Sequence, residues 1–87
     1  MTFFRVSHTK GKKYDAFHNN KWIPFGDSRY QHYYDSTGLY HWSHLDHLDN
    51  KRRINYRKRH SKILTKYNNP AYLDPDQPAY WSWNYLW

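Results

Sequence analysis

Residues 51–66, KRRINYRKRHSKILTK, hold eight of the chain's 14 lysines and arginines and no acid. This block must lie on a surface, because unpaired charge is costly to remove from water, so the remaining segments have to supply the core. Its spacing predicts a helix. Leu45, Leu48, Tyr56, His60, Ile63, Leu64 and Tyr67 fall near one face at a 3.6-residue period, with Arg52 interrupting the stripe. Ser43, Asp46 or Asp49 can cap the start, since short oxygen-bearing side chains satisfy the free N–H groups there. Asn68-Asn69-Pro70 ends it. The expectation is one basic amphipathic helix over residues 44–67, with early acids and later cations both favourably opposed to the helix dipole.

The other segments have little material for a core. An 87-residue chain is one domain at most and buries only about 60% of its unfolded surface. Cysteine is absent, which excludes disulfides and thiolate metal sites. Ten Tyr, five Trp and four Phe offset the shortage, because large rings fill a core from few positions. Residues 2–8, 12–17 and 21–25 are rich in β-formers and are separated by Thr9-Lys10-Gly11 and His18-Asn19-Asn20, both turn-like. They predict a short antiparallel β-meander over 3–25, with Pro24 at an edge because it cannot donate to a ladder. Residues 26–43 predict an irregular connection rich in Tyr and His.

Residues 68–87 predict a proline-rich linker and an aromatic tail. Pro78 suits the first turn of a short helix, with Asp76 as its cap and Tyr80, Trp83, Asn84 and Trp87 on one face. A strand would instead align Trp81, Trp83, Tyr85 and Trp87; the helix is preferred. The fold class is therefore α+β: a β-meander, one basic helix and an aromatic C-terminal segment.

A formal charge of +7 points to an anionic partner: nucleic acid, an anionic membrane or an acidic protein face. The candidate binding set is Lys51, Arg52, Arg53, Arg57, Lys58, Arg59 and Lys62. No acid lies among these cations within residues 51–66, so like charges repel until a partner neutralises them. Tyr80, Trp81, Trp83, Tyr85 and Trp87 are expected to seal the core and to anchor the chain on neighbouring proteins. His41, His44 and His47 recur every third residue; His44, His47 and Asp49 form a weaker, metal-binding alternative. Glu and Cys are absent, as are a glycine-rich phosphate loop and a nucleophile elbow, so neither catalysis nor a cofactor is expected. No apolar run reaches the roughly 20 residues of a membrane span. The N-terminal residues lack the basic-then-apolar order of a secretory signal. The expected location is the cytosol, the nucleus or a particle assembled there.

One longer pattern is also present. His47-Leu48-Asp49 leads into an arginine-rich run closing on Tyr56, Arg59 and His60. Gly11-Lys12-Lys13-Tyr14 and Phe25-Gly26, followed by Tyr30 and Tyr33, stand upstream, and a Pro- and Trp-bearing tail runs from Asp74 to Trp87. This ordered set resembles a family of small, basic, uncharacterised proteins of giant nucleocytoplasmic large DNA viruses. The Tyr/His-rich stretch around residues 34–43 departs from the family pattern. The resemblance implies a viral source and little mechanism; for a small, basic, non-enzymatic protein of a large virus the expectation is a virion protein, localised to the virion and to the host cytoplasm or nucleus during assembly. It would be a minor capsid or cementing component in multiple copies, partnered by acidic surfaces of other virion proteins. The alternative is a nucleic-acid-binding protein of genome packaging or expression.

Overall fold

The computed structural model describes residues 2–87. Three antiparallel strands, β1 (Phe3–Val6), β2 (Lys12–His18) and β3 (Lys21–Asp27), form a sheet in the order β1-β2-β3. The expected meander is present. Asn19 and Asn20, both at positive φ, make the two-residue turn that lets His18 pair with Lys21. Pro24 lies on β3, an edge strand, as its missing N–H requires. Alternation along the strands puts Phe4, Tyr14, Ala16, Ile23 and Phe25 on one face, in the register Phe4–Ala16–Ile23 and Tyr14–Phe25.

A helix over Pro78–Tyr85, here α2, packs on that face. Trp81 and Leu86 close the core, and both are almost fully buried. Phe4 sets its edge against Phe25, Trp81 and Tyr85, with the Tyr85 centroid at 4.6 Å, the geometry aromatic quadrupoles favour. The expected face of α2 needs correction. Trp81 and Tyr85 turn to the sheet, Trp83 stacks on Tyr72, and Asn84 is exposed and bonds the Tyr80 carbonyl. Asp76 is not the cap; Gln77 holds that position without a side-chain bond, while Asp76 pairs with Lys21 at 3.5 Å.

The connection after β3 is irregular, as expected, apart from one 3-10 turn at Ser43–Leu45. A buried polar network holds it to the sheet. Lys13 Nζ donates to the Tyr30 carbonyl (2.7 Å) and to His32 Nδ1 (2.8 Å), and His32 Nε2 bonds Asp46. Asp46 also accepts from the Asp35 N–H at 2.9 Å. The Tyr14 hydroxyl donates to Asp35 and accepts from the Trp42 N–H, while the Trp42 indole reaches the Lys13 carbonyl. Lys13, His32 and Asp35 are buried to 2% exposure or less, which is tolerable because each is hydrogen-bonded. Burial lowers Lys13 to about 8 despite nearby carboxylates. Burial and the Lys13 charge lower His32, and burial with the Asp35 bond raises Tyr14.

The basic helix is shorter than the expected 44–67. It spans Asn50–His60, here α1. Leu48 adopts a left-handed φ of 54°, which stops α1 from extending back towards Ser43, and Asp49 caps the start by accepting from the Lys51 and Arg52 N–H groups. Beyond His60 the chain turns back, with Leu64 bridged to Pro70 and the Ala71 N–H on the Ile63 carbonyl. The expected apolar stripe does not form. Tyr56 alone of it is buried, whereas Leu48, Ile63, Leu64 and Tyr67 are exposed, because the shortened helix docks through one ring rather than along a seam.

Candidate anion-binding cleft

The two faces of α1 do different things. On the inner face the Tyr56 ring is parallel to Trp87 at 4.2 Å and to His60 at 3.9 Å. Two rings at such distances cannot share one face of a phenol, so Tyr56 is sandwiched and the order is Trp87–Tyr56–His60. Burial pushes the Tyr56 hydroxyl up to about 12. Arg53 Nε and an Arg57 terminal nitrogen both donate to the Trp87 carbonyl, at 2.7 and 3.0 Å. The same guanidiniums lie over Tyr33 (4.8 Å) and Trp83 (5.0 Å). Two of the seven candidate partner-binding cations are thus half-buried and committed to holding the tail. The sequence could not reveal this, because their acceptor lies 30 or more residues away.

On the outer face Lys51, Arg52, Lys58 and Arg59 are exposed, and Lys62 follows just beyond the helix, also exposed. Arg52 and Arg59 border a cleft of about 530 Å³ between α1, the start of α2 and the end of the β2–β3 ladder. Lys12 projects from β2 on the opposite wall, and His60 and Tyr56 form part of the α1 wall. Lys13 contributes its stem, since its ammonium is bound to Tyr30 and His32. Among the described residues Asp27 is the one acid lining the cleft. It is ion-paired to Arg29 at 2.8 Å; Arg29's hydrogen bonds, aided by the charge of Lys12, hold its carboxyl down to about 2. Among the described residues Lys12, Arg52 and Arg59 have no ion-pair partner; Arg52 bonds only the neutral Gln31.

Gly26 shapes the cleft floor. At φ +78°, it allows Leu86 to approach so closely that a Cβ there would meet Leu86 Cδ1 at 2.9 Å and Lys13 Cδ at 3.2 Å. In the sequence Gly26 reads only as a break, and Lys12 does not stand out among the cations. Nothing local marks Lys12, because the cleft exists only once α1 and α2 have come to rest beside β2.

The five tail aromatics expected as anchors have an internal role. Trp81 belongs to the core, Tyr80, Tyr85 and Trp87 pack against it, and Trp83 lies on Tyr72. Exposed rings lie elsewhere, and three of them, Phe3, Phe17 and Trp22, make a cross-strand row on the open face of the sheet. Arg5 stacks over Trp22 at 4.1 Å and pairs with the buried Asp15. Burial works against ionisation of Asp15, but bonds from Ser7 and Arg5 outweigh it and hold the carboxyl below its ordinary value.

The residues of the metal-binding alternative are also accounted for. His44 packs against Trp42, His47 Nδ1 accepts from the Asp49 N–H, and Asp49 caps α1. Among the described residues no group of three His, Cys, Asp or Glu side chains is placed to hold a metal ion. No described helix is long and apolar enough to cross a membrane. Comparisons of the chain with protein-family models, curated proteins and solved structures give no match.

Proposed function

We propose that the protein is a non-enzymatic binding module for a polyanion, with nucleic acid as the first candidate, held in the cleft walled by Lys12, Arg52 and Arg59. The observation that supports this most is the convergence on one concavity of three cations, from a strand and a helix, that have no ion-pair partner among the described residues. Its volume falls within the range of about 300–1,000 Å³ usual for ligand pockets. Lys51, Lys58 and Lys62 extend the positive surface beyond the cleft, where each neutralised phosphate would release counterions. The resemblance to proteins of large DNA viruses makes the packaged genome a fitting partner and the virion a fitting location. The test is a salt titration of oligonucleotide binding. Log affinity should fall linearly against log salt, and Arg52→Glu with Arg59→Glu should flatten the slope by roughly one unit for each phosphate that is no longer neutralised. A flat slope in the unaltered chain would reject the reading.

A second reading, a minor capsid or cementing component docked on acidic capsid proteins, is favoured by the exposed row of Phe3, Phe17 and Trp22. Contiguous exposed apolar surface often marks a protein contact. Fixed copy number in purified particles, abolished by Phe17→Ala with Trp22→Ala, would support it. Absence from particles would end it.

A further inference from the structure

The stack on α1 gives the cleft a chemistry beyond charge. We infer that the cleft accepts one unpaired nucleotide of a single strand, its base continuing the Trp87–Tyr56–His60 stack on His60 and its phosphate lying between Lys12, Arg52 and Arg59. This rests on the polyanion reading and names its ligand.

The stack is unfinished at one end. Tyr56 has a ring on each face, whereas His60 has Tyr56 on one face and, among the described residues, no other ring against it. His60 is half-buried and lines the same cleft as the three cations. A base has a flat π-face of the kind that such a ring takes, and histidine is among the residues on which unpaired bases stack. A duplex offers no free face except at its ends, so the site selects single strands. The stack is also held in advance: Arg53 and Arg57 fix the Trp87 carbonyl, and Tyr56 is wedged between its neighbours. A ligand therefore loses little free energy to ordering these rings. An acidic protein segment would satisfy the cations equally well but has no reason to need the ring of His60.

The experiment compares three probes, a short oligothymidylate, a duplex of equal length and inorganic polyphosphate, at one salt concentration. It uses the full chain and the variants His60→Ala, His60→Phe and Arg52→Glu with Arg59→Glu. His60→Ala should weaken oligothymidylate binding by about tenfold, the scale of removing one base stack, and leave duplex and polyphosphate binding within about twofold. His60→Phe should restore it, which also controls for damage to the fold. Arg52→Glu with Arg59→Glu should weaken all three probes. If His60→Ala weakens no probe, or all three alike, or if His60→Phe fails to restore oligothymidylate, the stacking site is wrong while polyanion binding stands. If the unaltered chain binds none of the probes, polyanion binding itself fails and the stacking site fails with it.

Discussion

The sheet with α2 and the segment carrying α1 are held in the same small molecule by different physics. Tyr14, Ala16, Ile23, Phe25, Trp81 and Leu86 join the first pair through apolar contact. The connection leading to α1 is tied down by Lys13, His32, Asp46 and Asp35, and α1 itself by two arginines and a ring stack. Apolar burial is insensitive to protonation; a network of buried ionisable groups is not. The part that carries the candidate cleft wall is therefore the part whose attachment answers to pH.

That contrast can be broken from either side. The largest effect belongs to Phe25→Ala. Its side chain is fully buried, and truncation should cost about 3–5 kcal/mol. Urea unfolding should show one cooperative transition at a much lower midpoint, since both regions share this sheet. Asp46→Ala comes next. It leaves His32 Nε2 and the Asp35 N–H without their acceptor, at about 1–3 kcal/mol. Amide hydrogen exchange should rise first in residues 30–60, with β1–β3 and α2 protected. Equal loss of protection everywhere would erase the distinction between the regions.

Acid gives a related effect. Burial, followed by the charges of Lys13, Arg52 and Arg59 respectively, lowers His32, His47 and His60. Above the ordinary histidine value of about 6.5 the three are neutral in folded and unfolded chains alike, and their contribution is fully present. As pH falls below it, the unfolded chain binds protons first, so stability drops until the lower folded-state values are passed. Urea midpoints at about pH 7.5 and about pH 5.5 check this; an unchanged midpoint would contradict it. The smallest effect is Asp49→Ala. Losing the cap of α1 should cost about 1 kcal/mol, read by thermal melting, without disturbing the sheet.

Local chemistry made the apolar region readable from sequence. The Asn19-Asn20 turn, the alternation along β2, the edge proline and Pro78 at a helix start each act within a few residues. The other region was legible only in part. The basic block is indeed helical over its first ten residues, but a period of 3.6 cannot report that Leu48 turns left-handed or that Leu64 bridges to Pro70. The division of the seven cations into tail-holding Arg53 and Arg57 and the exposed remainder depends on where Trp87 comes to rest, a long-range fact. The network of Lys13, His32, Asp35 and Asp46 was hidden for the same reason: its members are up to 33 residues apart and share no motif.

The proposed function rests on the cleft, and amide chemical-shift mapping of the isotope-labelled chain titrated with a short oligothymidylate tests it most directly. Shifts clustering at Lys12, Gly26, Arg52, Arg59 and His60, with the Trp87 indole moving with them, are the predicted result. Shifts confined to Phe3, Phe17 and Trp22 on the open sheet face, with the cleft silent, would contradict it.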